Sequence, residues 1–328
     1  MDSNTATTSG KTALVIGATG GVGSAVAAAF LQQGWRVRAL TRRPEAGALM
    51  GAALVGVEWQ QGDAMNQADV VRAAQGVAVI VHAANPPQYK GWRERAIPML
   101  ANAIEAARAS QARLILPGNV YNFGPDAGLL LTESSPQNPR TRKGAVRVEM
   151  EQMMRQAAHQ GVRSLVLRAG DFFGGHGPSS WFTTILVKPG RATRSVTFPG
   201  EREVGHAWAY MPDVAATIVR LAELDASLSA FEVFHFGGHW TPRCIEMAES
   251  IGRAVGQPNL PVRALPWPLV YMAAPFVTLL REIIEMRYLW KVPLRLDNRK
   301  LLSVLGTEPH TPLDEAVKSS LQQLGCLA

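Results

Sequence analysis

Residues 12–33 constrain this chain more than any other stretch. Leu14, Val15 and Ile16 form an apolar run without charge, the composition of a strand buried on both faces of a parallel sheet. Glycines follow at positions 17, 20 and 23, and from Ser24 to Gln33 the chain is rich in Ala, Val, Phe and Leu with no Gly or Pro, which suits a helix. Strand, glycine turn and helix in that order make a phosphate cradle. A glycine at the turn takes positive φ, a glycine facing the ligand lets the backbone approach a pyrophosphate, and the helix N-terminus presents unpaired N–H groups. Gly17, Thr19, Gly20, Gly21, Val22 and Gly23 are the candidate cofactor-binding residues of this turn.

The spacing is Gly-x-x-Gly-x-x-Gly, not Gly-x-Gly-x-x-Gly. With Thr19 inside it, Gly17-Ala-Thr-Gly20-Gly-Val-Gly23 resembles the short-chain dehydrogenase/reductase superfamily, in its extended (epimerase/dehydratase-like) and atypical branches. The rest of the chain reads as alternating strands and helices. Strands are expected at Arg36–Thr41, Val57–Gln60, Val77–Val81, Ala112–Leu116, Arg163–Arg168 and Phe231–Phe236, and helices at Ala68–Gln75, Trp92–Ser110 and Gly144–His159. That alternation predicts an α/β chain, a Rossmann-type doubly wound parallel sheet whose ligand crevice lies at the carboxyl ends of the strands. Residues 11–171, with 206–238 returning to them, are expected to form the dinucleotide domain; 172–205 and 239–328 are expected to form a small, mostly helical substrate cap. Asp213 is placed to cap a helix, and Thr311-Pro312-Leu313-Asp314 reads as a helix start with Pro at its first position.

The second strand ends in Thr41-Arg42-Arg43-Pro44. An NAD site carries an acid near this point for the ribose 2′-hydroxyl; here there is none, and paired guanidinium N–H donors suit a 2′-phosphate. NADP(H) is expected rather than NAD, through Arg42 and Arg43. The resemblance places Asp63 beside the adenine, although an Asp after Gly62 serves equally as a turn acceptor. It also places the cofactor ribose against the small-residue turn Ala83-Ala84, after His82 and before Asn85-Pro86-Pro87. His82 is read as structural.

The superfamily's usual site has Ser, Tyr and Lys, with Tyr and Lys four apart on one helix face. Here the loop Pro117-Gly118-Asn119-Val120-Tyr121 resembles the family's strand-end loop but puts Pro117 at the Ser position, and the helix reads Thr141-Arg142-Lys143-Gly-Ala-Val-Arg147-Val-Glu149. All three usual residues are missing. Lys143-x-x-x-Arg147 instead resembles the Lys-x-x-Ile-Arg pattern of isoflavone-reductase-like members, which implies Lys143 as an acid/base or a ribose contact. A lysine serves at neutral pH once burial or nearby positive charge lowers its pKa, and Arg142 and Arg147 are candidates to supply that charge. Asn119, Tyr121 and Asp171 are further polar candidates. Phe123, Phe172, Phe173, Trp181 and Phe182 are expected either to wall an apolar substrate pocket or to form the cap's core.

The resulting reading is an NADPH-dependent reductase of a carbonyl or conjugated double bond in a small, partly apolar molecule. One alternative is a nucleotide-sugar epimerase or dehydratase, with Arg191, Arg194 and Arg202 holding a diphosphate; another is a non-catalytic NADP(H)-binding regulator. The formal charge of +7 is scattered and no nucleic-acid motif accompanies it. Met1 to Gly10 is small and polar and expected to fray, without the features of a signal peptide. The most apolar stretch, Leu265–Leu280, contains three prolines and is too short to span a bilayer comfortably. A cytoplasmic monomer or homodimer, with no membrane or nucleic-acid partner, is expected. Cys244 and Cys326 have no metal-ligand spacing.

Overall fold

A computed structural model of the chain describes residues 10–48, 50–86, 91–175 and 180–327. Residues 1–9, and Pro87 of the turn after the fourth strand, lie outside them. The strands are β1 (Thr12–Ile16), β2 (Arg36–Thr41), β3 (Glu58–Gln61), β4 (Val79–His82), β5 (Arg113–Asn119), β6 (Leu130–Leu131), β7 (Ser164–Ala169), β8 (Asp171–Phe173), β9 (Val196–Phe198), β10 (His206–Tyr210), β11 (Phe231–His235), β12 (His239–Thr241), β13 (Val262–Ala264) and β14 (Arg295–Leu296). The helices are α1 (Gly21–Gln32), α2 (Pro44–Ala48), α3 (Gln67–Ala73), α4 (Trp92–Ser110), α5 (Arg142–Ala158), α6 (Met211–Glu223), α7 (Glu246–Ala254), α8 (Trp267–Ala273), α9 (Thr278–Glu285), α10 (Arg299–Leu305) and α11 (Leu313–Gln323).

Seven strands form one parallel sheet in the order β3-β2-β1-β4-β5-β7-β11. Every residue of β1, β4 and β7 is buried, while β2 and β3 towards the edge have exposed positions. Apolar side chains on both faces of the central strands bury against helices on either side. One layer packs β1, β4 and β7 residues on α1 and α6, and the other packs α3, α4 and α5 on the opposite face. The strand order reverses between β1 and β4, which opens the ligand crevice there.

β5 runs three residues further than the apolar pattern predicts, through Pro117, Gly118 and Asn119, paired with Leu167, Arg168 and Ala169. Arg113 N donates to Ala78 O on the β4 side and Leu114 N to Arg163 O on the β7 side. By that alternation the Pro117 nitrogen faces β4, whose pairing with β5 ends at Ile115, so the missing donor costs no ladder bond.

A third core cluster joins Phe123, Phe173, Phe182, Trp208, Tyr210 and Trp290, drawing on both of the units expected from the sequence. The aromatic substrate wall is therefore largely core: Phe123, Phe173 and Phe182 are fully buried. Trp181 packs edge-on against Trp290, at 5.2 Å between ring centroids, and Phe172 packs on the sheet's α1–α6 layer. α10, expected to belong to the cap, packs on that same sheet layer through Leu301 and Leu305. Asp213 lies inside the first turn of α6, whose N-cap is Tyr210. Its carboxylate accepts from Thr311 N (2.7 Å) and Thr311 Oγ1 (2.8 Å), tying the approach to α11 down onto α6. Pro312 is the N-cap of α11 rather than its first helical residue, so α11 starts one position later than expected.

Candidate active site

β1 ends at Ile16, and Gly17 turns the chain at φ +95°. A Cβ there would lie 2.6 Å from Ala84 N and 2.7 Å from Ala83 C. The turn thus packs backbone to backbone on the Ala83–Ala84 corner, and Ala83 N donates to Ile16 O (2.8 Å). At Gly23 a Cβ would lie 2.1 Å from Gly17 O, so α1 sits directly on the turn. Gly20 differs: it is exposed, and its Cβ would meet only Gly17 O, at 3.3 Å. Thr19 is exposed, and Gly21 and Val22 are half-buried. α1 begins without a side-chain cap and without an acid in its first turn, which suits an anion at its opening N–H groups.

At the end of β2, Arg42 and Arg43 are both exposed, and Thr41 Oγ1 accepts from Arg43 N (3.2 Å). Arg42, Gln61, Gly62, Asp63, Asp69 and Arg72 border an open depression of about 410 Å³. Asp63 Oδ1 accepts from Met65 N (3.0 Å), so this carboxylate does serve the turn while bordering the depression. Asp69 accepts from Asp63 N and Arg72, and those bonds lower its pKa.

The loop after β5 and the start of α5 are pressed together. A Cβ at Gly144 would lie 2.2 Å from Tyr121 O. Asn119 Oδ1 accepts from Tyr121 N (3.1 Å), and Thr141 Oγ1 caps α5 at Gly144 N (2.9 Å). Asn119, Tyr121 and Lys143 are thereby brought to one place. Lys143 is 4% exposed. Its Nζ pairs with Glu282 Oε2 at 2.7 Å and donates to Glu282 O at 3.1 Å, while its backbone N donates to Glu285 Oε1 (3.2 Å). Burial lowers the Lys143 pKa, Glu282 and Glu285 oppose that shift, and Arg142 adds a small further lowering.

Arg147 turns the other way, towards the end of β4. Its Nη2 donates to Asn85 Oδ1 (3.3 Å) and its guanidinium lies 5.2 Å from the centre of the Trp92 ring. The charge of Arg147 acts on His82. His82 is 1% exposed and neither ring nitrogen has a hydrogen-bond partner among the described residues; burial, then Arg147, lowers its pKa to about 4. Its structural reading fits a neutral ring.

Several polar groups near this place carry no local signal in the sequence. Glu282 and Glu285 arrive from α9, a helix distant in the chain. Asp171 Oδ2 and His206 Nε2 form a buried pair at 2.8 Å, with the His206 ring stacked on Trp290 at 4.2 Å and 14°. The pair borders a cavity of about 10 Å³, together with Val120, Ala207, Leu289 and Leu294, which is room for roughly one water. Tyr288 donates to Phe123 O (2.9 Å); burial, then Asp171 and Glu285, raises its pKa. Arg191, Arg194 and Arg202 are exposed and do not border that cavity.

Comparison with known proteins agrees with this architecture. A curated relative, uncharacterized protein y4nL of Sinorhizobium fredii, is 24% identical over 94% of this chain and 93% of its own. Among solved structures, a putative epimerase from Burkholderia cenocepacia superposes with a TM-score of 0.76 at 18% identity, covering 96% of this chain and 98% of that one. UDP-glucose 4-epimerase from Brucella ovis, in complex with NAD, gives 0.75 at 19% identity, with coverage of 96% and 98%. UDP-N-acetylglucosamine 4-epimerase from Bacillus cereus gives 0.74 at 14%, with coverage of 96% and 99%. At these identities the likeness is one of fold. Residues 13–237, the whole of the parallel sheet but the first residue of β1, match a family of sequences directly. The chain belongs to the NAD-dependent epimerase/dehydratase family.

Proposed function

We propose that the chain binds a nicotinamide dinucleotide along the β1–α1 turn and acts on an oxygen-bearing carbon of a substrate held between the strand ends and the cap. The glycine cradle carries this reading. At Gly17 and Gly23 a Cβ would overlap backbone, whereas Gly20 is exposed and a Cβ there would meet only Gly17 O, which leaves the space a pyrophosphate needs. The residues present fit the group: the turn from Gly20 to Gly23 would hold the pyrophosphate, and Ala83 and Ala84 would lie beneath the adjoining sugar. Arg42 and Arg43 support the 2′-phosphorylated form. The NAD named with several similar structures supports the unphosphorylated one. When bound, the group supplies hydride transfer. Lys143 Nζ then moves the proton at the substrate oxygen, in the place where the superfamily carries tyrosine.

Family membership and the epimerases among the similar structures favour epimerase/dehydratase chemistry on a nucleotide sugar over reduction of an apolar enone. The burial of Phe123, Phe173 and Phe182 points the same way, because it takes the apolar wall out of the cleft. The missing tyrosine keeps the reductase as a second reading.

Titration of NADPH and NADH against the wild type, Gly20→Val and the Arg42→Ala/Arg43→Ala pair tests the proposal. Gly20→Val abolishes binding. The double alanine variant weakens NADPH by roughly tenfold to a hundredfold, the value of about 1.5–3 kcal/mol for a lost charged partner, and leaves NADH unchanged. Equal wild-type affinities overturn the arginine assignment, and absence of binding overturns the whole reading. Turnover of nucleotide sugars against small carbonyls separates the two reactions. Tight binding without turnover of either assigns the chain as a regulator.

A further inference from the structure

Between Arg263 and Arg281 the chain carries no charged residue. This stretch builds α8 and the start of α9, joined through Ala274–Val277 into a helical hairpin at the edge of the cap. The hairpin does not hide its apolar side chains. Phe276 is 88% exposed and Met272 67%, and Leu269, Val277 and Leu279 are exposed beside them. Contiguous apolar exposure of this kind marks a contact surface.

Along the hairpin itself, from Arg263 to Arg287, the exposed charges have one sign. Both acids of α9, Glu282 and Glu285, turn inward and pair with Lys143 and Arg142. Outward-facing Arg263 and Arg281 flank the uncharged stretch. Arg287 stands at the hairpin's base with its guanidinium 4.4 Å from the centre of the Trp267 ring and its Nη1 2.8 Å from Tyr271 Oη. An apolar tip with Trp and Tyr behind it and an arginine collar matches the layering of a bilayer surface: acyl boundary, interface, anionic headgroups. A two-fold contact through the hairpin tips would face these arginines with their own copies, with no exposed acid of α8 or α9 to pair them. The net charge of +7 adds attraction to an anionic surface.

We propose that the α8–α9 hairpin docks the protein peripherally on anionic membranes, with Phe276 and its neighbours entering the acyl boundary. No described helix is long and apolar enough to cross a membrane. The sequence expectation of no membrane partner rests on that spanning length, which a docking surface does not need.

Co-sedimentation of the full chain with vesicles of phosphatidylcholine, alone or mixed with phosphatidylglycerol, tests this. The wild type sediments with the phosphatidylglycerol vesicles, less so at high salt. Phe276→Ser lowers the partition coefficient by roughly tenfold to a hundredfold, the value of one buried phenylalanine, with its melting temperature unchanged because the side chain is exposed. Failure to sediment with any vesicle overturns the proposal, as does equal binding to both lipid compositions. A concentration-dependent dimer in sedimentation velocity that Phe276→Ser abolishes, without vesicle binding, gives the surface to a second copy and overturns it too.

Discussion

Lys143 is held in a balance between burial, which favours the neutral amine, and the Glu282 carboxylate, which favours the ammonium. Burial is the larger effect, so the pKa falls below that of an ordinary lysine while a counter-charge stays in contact. A group with both features donates and recovers a proton more readily than a solvated lysine does. Lys143→Met is expected to reduce turnover by roughly 10²–10⁴-fold, the usual size of a general acid–base contribution, with dinucleotide affinity little changed. Glu282→Gln gives the sharper test. It removes the carboxylate that raises the Lys143 pKa, so the pH above which an acid at Lys143 loses its proton moves down, and the alkaline limb of the rate profile moves with it. Arg147→Met leaves that limb in place, because Arg147 reaches Asn85 and His82 instead. An unmoved profile in Glu282→Gln, together with full turnover in Lys143→Met, would transfer the proton step to the Asp171–His206 pair.

The elements carry these residues into register through close backbone contacts. Gly144 lets α5 press on the loop after β5; a Cβ there would also lie 2.6 Å from Pro139 Cβ. Gly144→Ala is therefore expected to force α5 away from Tyr121 at a cost of about 1–3 kcal/mol, the usual size of an overpacking penalty. Chemical denaturation measures it, and unchanged stability would mean that the loop yields freely. This contact also shows where sequence reading ends. The β1–α1 turn is legible because its glycines, its strand and its helix are consecutive, and α4 is legible from Trp92 to Ser110 as a long run of helix formers after Gly91, even though Pro98 lies inside it and its C-cap is Gln111 rather than a glycine. Glu282 reaches Lys143 from 139 residues away, so no spacing announces it. Phe173 and Phe182 read equally as pocket or core, because an apolar side chain has the same composition signal in either place; only their packing with Tyr210 and Trp208 decides. Asp213 looks like a cap because Asp caps helices generally, and its real partner, Thr311, comes from a segment 98 residues on.

Among the described residues, three buried histidines in separate places have lowered pKa values, and they shape how the fold responds to acid. His82 closes β4 with no partner for either nitrogen. His235, on β11, lies with Nδ1 3.1 Å from Leu131 O and Nε2 3.1 Å from Arg168 Nη1. The partners assign a neutral tautomer that donates through Nδ1 and accepts at Nε2; a second proton would point an N–H at the guanidinium. His239, on β12, lies 4.5 Å from the His310 ring, tilted by 46°. Burial is the main cause of each shift: the pKa values fall from 6.5 to about 4 for His82, about 3 for His235 and about 4 for His239. Below pH 6.5 the unfolded chain takes up protons that the folded chain refuses, so stability falls as pH drops through the window down to the folded values. His82 alone accounts for about 3 kcal/mol over that span, at 1.36 kcal/mol per pKa unit. The carboxylates with lowered values, Asp69, Glu232, Asp297 and Asp314, start from 3.8 or 4.5 and add their own losses only in the lower part of the range. The interval from about pH 6.5 to 5 therefore belongs to the histidines. Thermal melts across it are expected to show a steady fall for the wild type and a shallower one for His82→Leu, which removes a titrating ring without stranding a partner. A melting temperature flat from pH 7 to 5 would mean that these rings gain protons in the fold as easily as in the open chain.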